Sequence, residues 1–377
     1  MTTRPKLAVI LGAGASHDVC PYKGPIKDLR WKPPIVKTMF DGSALDEVLA
    51  RHPEAAALMS SVRTDVRAGL TFEQSLRAHL SNPNPYVQRQ MAFVPIALHE
   101  FFYLVSTNFT NEAVNYSHLV NRTIGQGIHT AYITVNYDTL LDTSLSKVTG
   151  VAFDSVESYV SSTDWILVKL HGSVGWGYPW DTAEDSGLTL TEDSLSLLWP
   201  AVLTGAIDMY RPPLSLGVLS RVKALSYPLP AKNPDVIDVG PDPGTFFHQG
   251  GSGGGDVCYP ALALPVTGKY GFVCPPSHLE ALKAFLADCE NFLFIGFSAN
   301  DQDLLDLLKD TVQNVKSFCV VAGPPPDQAE GAASRLLQAV PRFRVPYPPG
   351  TGHFGYGFTV YLEHKEGLDR LVSLLVH

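Results

Sequence analysis

The chain has 377 residues, with 28 basic side chains against 37 acidic ones and a net charge of −9. Apolar residues make up 45% and charged residues 17%, which excludes disorder of the whole chain, because disorder needs high charge and few aromatics. The acidic balance also makes nucleic acid an unlikely direct ligand, since phosphate neutralisation calls for Lys and Arg.

The first element is a buried strand predicted over Leu7–Leu11, which runs directly into Gly12-Ala13-Gly14-Ala15-Ser16. The first 40 residues are locally basic, with Arg4, Lys6, Lys23, Lys27, Arg30, Lys32 and Lys37 against only Asp18 and Asp28. That excess suits either a phosphate-bearing small molecule or a solvated face. Residues 25–125 carry no strand pattern. Apolar positions recur at helical spacing in Leu45–Leu49 and from Tyr86 to Val105, so a helical insertion is expected there. Strands follow at Ala131–Val135 and Trp165–Leu170. Residues 177–259 hold an acidic run (Asp181, Glu184, Asp185, Glu192, Asp193), many prolines and the Gly250–Gly254 tract, and read as a loop-rich insertion.

Further strands are expected at Leu262–Val266, Phe292–Phe297 and Ser317–Ala322. Ser277, with Glu280 three residues on, reads as a capping box for a helix whose stripe is Leu279, Leu282, Phe285 and Leu286. The turn Ser298-Ala299-Asn300 leads into a helix bearing Leu304, Leu305, Leu307 and Leu308. Short apolar strands alternating with helices predict an α/β fold, a Rossmann-like and mostly parallel sheet with flanking helices. The expectation is a single domain over 1–377: a core of 1–24, 126–176 and 260–377, the helical insertion 25–125 and the loop-rich insertion 177–259. Both insertions leave the ligand-binding edge of the sheet, so they are expected to cover the cleft or to form subunit contacts in a homo-oligomer.

The five cysteines, Cys20, Cys258, Cys274, Cys289 and Cys319, are odd in number, and no two have two-residue spacing. Neither a disulfide framework nor a four-thiolate zinc site is indicated, and no metal is expected. The chain opens without a charged-then-apolar leader. Its longest apolar stretch, Met91–Val105, is interrupted by Pro95, His99 and Glu100 and is too short to span a bilayer. A cytoplasmic protein is expected.

Four segments carry chemistry. Glycines after the first strand let backbone approach a pyrophosphate, although His17 stands where the dinucleotide fingerprint has its third glycine. Thr134-Val135-Asn136-Tyr137-Asp138 lies at a strand end, where open α/β sheets bind ligands, and offers an amide and a carboxylate; the plain alternative is a helix cap. Lys169-Leu170-His171-Gly172 places a potential general base at another strand end, with Gly172 leaving room beside the ring. Gly296-Phe297-Ser298-Ala299-Asn300-Asp301 is a second strand-to-helix turn able to hold a ribose or phosphate.

In this order the four segments resemble the sirtuin family, most closely the divergent bacterial branch found in anti-phage defence. The resemblance covers roughly 1–24, 126–176 and 260–325. It implies NAD as substrate, with Gly12, Ala13, Gly14 and Ser16 at the phosphates and Asn136 orienting a water and the ribose. It implies Asp138 beside the nicotinamide amide, His171 as proton acceptor, and Gly296, Ser298 and Asp301 in the turn near the adenosine ribose. The departures are Val135 where deacylases have glutamine, Cys20-Pro21-Tyr22-Lys23 where they have Pro-Asp-Phe-Arg, and no paired cysteines for a zinc ribbon. These favour water over an acylated peptide as acceptor. The implied activity is an NAD glycohydrolase that depletes NAD as a defence effector, with an ATPase of a defence system as a further partner. A deacylase, an ADP-ribosyltransferase and a nucleotide-binding sensor without turnover are the alternatives.

Overall fold

The computed structural model describes residues 4–18, 29–80, 82, 84–109, 114–180, 222–224, 247–248, 257–263, 272–345, 352–364 and 367–376. The segments Cys20–Lys23, 181–193 and 250–254 singled out above lie outside the described residues.

In chain order the elements are β1 (Lys6–Leu11), α1 (Ala13–His17), α2 (Val36–Met39), α3 (Ser43–Leu49), α4 (Pro53–Arg67), α5 (Phe72–Leu80), α6 (Pro85–Phe109) and α7 (Val114–Ile124). Then come β2 (His129–Thr134), α8 (Leu140–Thr149), β3 (Trp165–Lys169), β4 (Gly172–Trp180), β5 (Lys223–Ala224), β6 (Phe247–His248) and β7 (Val257–Leu262). The chain continues through α9 (Pro276–Ala287), β8 (Asn291–Ile295), α10 (Gln302–Thr311), β9 (Ser317–Val321), α11 (Asp327–Ala339), β10 (Gly352–Phe354), α12 (Phe358–Glu363) and α13 (Leu368–Val376).

The chain divides into two compact units. The first comprises 1–35, 106–170 and 274–377; the second comprises 36–105 and 171–273.

The first unit holds a six-stranded sheet in the order β10-β9-β8-β1-β2-β3, with every pairing parallel. Counted along this sheet alone, the order is 3-2-1-4-5-6, which is the Rossmann arrangement. The fold is therefore a Rossmann-like α/β sheet flanked by helices. Leu7 to Leu11 and every residue of β3 and β9 are buried, as expected of parallel strands covered on both faces. Under β8 and β9, Phe343 makes edge contacts with Phe292, Phe294 and Phe318. The register aligns Lys169, Thr134, Leu11, Ile295, Val321 and Phe354 in one row across the carboxyl edge. The loops that bear the four segments leave from this edge.

In the second unit, among the described residues, helices fill 36–105 and an antiparallel sheet runs in the order β5-β4-β7-β6. Its helices enclose a buried polar cluster in which Glu100 accepts from Arg51 Nε at 2.7 Å and contacts His52 Nε2 at 2.5 Å. The His52 ring and the Arg51 guanidinium hold the Glu100 carboxyl below its usual range against the opposing effect of burial.

Three differences from the sequence reading have physical reasons. The strand expected at Leu262–Val266 meets β7 only at Leu262, and β7 belongs to the antiparallel sheet, while residues 264–266 lie outside the described ones. Ser277 does not cap α9. That helix starts at Pro276, whose missing N–H and fixed φ suit the first helical position, so Ser277 sits inside the first turn. The short strand β10 completes the main sheet where the sequence shows no strand pattern.

Candidate functional site

The strand order reverses between β1 and β8, one neighbour leading to β2 and the other to β9. At such a switch point the loops diverge and leave a crevice, the usual place for ligands in open α/β sheets. Here the loops on the two sides of the switch point are the glycine segment after β1 and the Gly296 turn after β8.

These two loops pack backbone against backbone. Gly12 N donates to Ile295 O at 3.0 Å and Gly14 N to Gly296 O at 3.1 Å. A Cβ on Gly12 would meet Gly296 O at 2.5 Å, and one on Gly14 would meet Gly296 Cα at 2.8 Å. Gly296 itself has φ +59, and a Cβ there would lie 2.1 Å from Ala15 N. The glycines are thus required by loop-to-loop contact, and the amides of Gly12 and Gly14 are already committed to that contact.

The loop after β2 is tied to the same place. Thr134 Oγ1 donates to Leu11 O at 3.1 Å and accepts from Asn136 N at 3.0 Å. Asn136 Nδ2 donates to Gly12 O at 2.9 Å and to Ser16 Oγ at 3.0 Å. Gly12 O can only accept, so it fixes the orientation of the amide. Both N–H groups are thus engaged, and the Asn136 side chain also hydrogen-bonds Tyr116. Asn136 is not the cap of α8, which starts four residues later at Leu140. Asp138 instead turns back on the chain, its Oδ1 accepting from Leu140 N at 3.2 Å.

Ser16 sits at the centre of this group. Its Oγ lies 2.8 Å from Tyr116 OH on α7 and also hydrogen-bonds the Asp138 carboxyl. Burial pushes Asp138 above the ordinary carboxylate range; Lys169, Ser16 and the Leu140 amide oppose that, and Asp142 adds to it. Burial, followed by the nearby Asp138 charge, pushes the Tyr116 phenol well above its usual range. Just past α1, Asp18 Oδ2 accepts from Thr359 N at 3.0 Å, and Asn115 Nδ2 donates to Thr359 Oγ1 at 2.8 Å. The C-terminal α12 is thereby stitched to the end of the glycine segment.

Within the first unit, then, Gly12, Ala13, Gly14, Ser16, Asn136, Asp138 and Gly296 come together. Farther along the Gly296 turn, Ser298 is exposed and its carbonyl accepts from Arg335 Nε at 2.9 Å. Ala299 is held at φ +55, a conformation that non-glycine residues adopt at a cost. Asp301 caps α10, its Oδ1 accepting from Leu304 N at 2.9 Å. Asp301→Ala is expected to cost about 0.5–2 kcal/mol of stability, and Asp301→Asn almost nothing, since asparagine caps as well. If Asp301 also contacts ligand through its charge, the asparagine variant will lose affinity while keeping stability, which urea melts and calorimetry on the same samples will separate.

His171 belongs to the second unit, where it is half-buried and its carbonyl accepts from Ala263 N at 2.8 Å. The space expected beside Gly172 is filled: Gly172 has φ +82, and a Cβ there would meet Ala261 O at 1.9 Å. This glycine lets β4 and β7 approach.

Sequence reasoning missed Tyr116, Asp142 and Tyr159 and gave Lys169 no role. Lys169 is wholly buried, and its ammonium donates to Asp138 O and, at 2.9 Å, to Asp142 Oδ2. Tyr159 OH donates to Asp142 Oδ1 at 2.8 Å. The available signal was a lysine inside an otherwise apolar strand, because a buried ammonium needs a partner. No group of three or more His, Cys, Asp or Glu side chains among the described residues is placed to hold a metal ion, and no helix among them is long and apolar enough to cross a membrane.

No protein-family model matches the chain, and no curated protein matches its sequence. Among solved structures it is similar to a Sir2 homologue–NAD complex, with a TM-score of 0.40, 13% identity and coverage of 99% of this chain and 90% of that one. It is likewise similar to a mutant Sir2 homologue in complex with 2′-O-acetyl ADP ribose, with a TM-score of 0.40, 13% identity and coverage of 99% and 92%. A third is a structure concerned with the mechanism and regulation of Sir2 enzymes, with a TM-score of 0.32, 14% identity and coverage of 91% and 94%. Likeness at this level carries no chemistry; the fold assignment stands on strand order and register.

Proposed function

We propose that the protein is an NAD glycohydrolase, cleaving the bond between nicotinamide and ribose to give nicotinamide and ADP-ribose. The observation that carries this reading is the convergence, at the β1/β8 switch point, of the glycine segment, Asn136, Asp138 and the Gly296 turn, the segments whose order resembles sirtuins. In this reading the residues divide the work of holding a dinucleotide. The Gly12 and Gly14 amides are spent, so the glycines serve to bring two loops close, and Ser16, Asn136 and Asp138 supply the polar groups.

The chemistry asked of the chain is modest. The C1′–N bond breaks with its electron pair leaving on nicotinamide, and positive charge develops on the ribose. Preorganised dipoles and the Asp138 carboxylate stabilise that charge better than water would, because they need no reorganisation. Asn136 Oδ1 accepts from the attacking water or a ribose hydroxyl and fixes its position. Water forms the new C1′–O bond, and its proton passes to His171, the base assigned by the resemblance. No zinc ribbon pattern supports an acyl-peptide cleft, which favours water as acceptor. The defence role, the homo-oligomer and an ATPase partner rest on the resemblance and are part of the same proposal.

Incubating the purified chain with NAD, with and without a chelator, and separating the products tests it. The expected result is free nicotinamide and ADP-ribose in equal amounts, unaffected by chelator. ADP-ribosylated protein, or an O-acyl-ADP-ribose formed only with an acylated peptide, would replace hydrolysis by one of the transferase readings. Absence of both turnover and NAD binding would overturn the NAD reading.

A further inference from the structure

Lys169 is the most deeply buried charge in the first unit, and the proposed chemistry does not use it. It ends β3 in the row that includes Thr134 and Leu11, yet none of its side chain is exposed. Its ammonium has two partners with different consequences. One is the carboxylate of Asp142 on α8, itself held by Tyr159 OH. The other is the main-chain carbonyl of Asp138, the residue that turns its carboxyl toward Ser16 and the Leu140 amide. Asp142 accepts from one of the three ammonium N–H groups, and the Asp138 carbonyl accepts from another, which ties Lys169 to the loop that carries the Asp138 carboxyl.

We propose that Lys169 is a positioning residue for the candidate site: anchored by Asp142 and Tyr159, it pins the Asp138 carbonyl and sets both the direction and the charge state of the Asp138 carboxyl. This rests on the NAD reading, in which the ionised carboxylate accepts from the nicotinamide amide.

The groups facing Asp138 are few enough to give the sign. Lys169 on β3 contributes the positive charge, Asp142 on α8 a negative one, and the Ser16 hydroxyl and Leu140 amide donate hydrogen bonds. Tyr116 on α7 stays neutral, its phenol held well above the usual range. Burial already dominates; removing the lysine charge takes away the strongest effect opposing it, so Asp138 binds its proton still more tightly. Removing only Asp142 takes away a like charge and lets Lys169 act unopposed, so Asp138 binds its proton less tightly. Lys169 outweighs Asp142 in its effect on Asp138, so removing both shifts Asp138 upward.

Lys169→Met alone strands Asp142 in the interior and risks unfolding. The informative variants are therefore Asp142→Asn, which keeps an acceptor for Lys169, and the double variant Lys169→Met/Asp142→Asn, which removes both charges together. The first measurement is a carbon-13 carboxyl titration of the full chain, with the Asp138 signal assigned by Asp138→Asn. The Asp138 midpoint is expected to fall in Asp142→Asn and to rise in the double variant, because Asp142 raises it and Lys169 lowers it. The second measurement is NAD cleavage against pH. The acid limb of kcat/KM is expected to move with the Asp138 midpoint, and the loss in the double variant is expected chiefly in KM. A merely structural ion pair would change stability and the Asp138 midpoint and leave the NAD-cleavage profile in place. An unmoved Asp138 midpoint in either folded variant overturns the proposal whether or not NAD is cleaved. A midpoint that moves as described, in a chain that neither binds nor cleaves NAD, supports the Lys169 coupling and overturns the NAD reading instead.

Discussion

Gly296→Ala is expected to be strongly destabilising. Two costs add there. Gly296 has φ +59, a left-handed conformation that costs an L-residue about 1–2 kcal/mol. The new Cβ would also stand 2.1 Å from Ala15 N and 2.3 Å from Gly14 C, and these are backbone atoms that no rotamer change can move aside. Overpacking of that kind typically adds about 1–3 kcal/mol. The sum, about 2–5 kcal/mol, is a large share of the roughly 5–15 kcal/mol that holds a domain together. To relieve it the β1 and β8 loops must separate, breaking the Gly14 N–Gly296 O bond and displacing α1 with Ser16. Gly150→Ala isolates the first cost. Gly150 ends α8 at φ +74 with no heavy atom within 4 Å of a built Cβ, so only the conformational penalty of about 1 kcal/mol applies. Urea melts followed by tryptophan fluorescence compare the two. Equal destabilisation would mean that the two glycine loops do not meet as described.

The same contact shows what one sequence can and cannot disclose. Runs such as Leu7–Leu11, Phe292–Phe297 and Ser317–Ala322 are legible as strands because a strand buried on both faces must be apolar throughout, whatever its neighbours. The glycines after β1 are legible as special, but the sequence shows only one of the two reasons. Phosphate approach and loop-to-loop approach both demand a missing Cβ, and only the pairing of β1 with β8 reveals that Gly296 is the neighbour. Asn136 was open to reading as a cap, because the start of α8 depends on how the 136–139 turn is drawn toward Ser16 and Lys169. The polar group Ser16, Tyr116, Asp138, Asp142, Tyr159 and Lys169 is drawn from four separate elements and two connecting segments and has no spacing signature. Gly352–Phe354 escaped notice because an edge strand three residues long has no room to show a period. Ser277 was misplaced because a capping box and a proline-initiated first turn look alike when Pro275 and Pro276 precede the serine.

His171→Ala is expected to lower NAD turnover about 10²–10⁴-fold, the usual contribution of a general base, while leaving the chain folded. The side chain is only half-buried, so little packing is lost with it. NAD binding should survive, because the groups assigned to the dinucleotide stand on the loops after β1, β2 and β8. Asn136→Ala is a less clean companion. Its amide donates to both Gly12 O and Ser16 Oγ. At a net value of about 0.5–1.5 kcal/mol per hydrogen bond, the alanine variant should lose about 1–3 kcal/mol of stability together with turnover. Loss of activity in Asn136→Ala alone therefore does not separate a fixed water from a loosened loop. The comparison that does is made on one preparation of each variant, with urea stability, NAD affinity and nicotinamide release measured together. His171→Ala should fall in the last quantity only, and Asn136→Ala in the first and the last. A folded His171→Ala chain that releases nicotinamide at the wild-type rate removes the histidine from the mechanism. If its affinity is also unchanged, Asn136 Oδ1 and the Asp138 carboxylate remain as the groups that act on the ribose and the water.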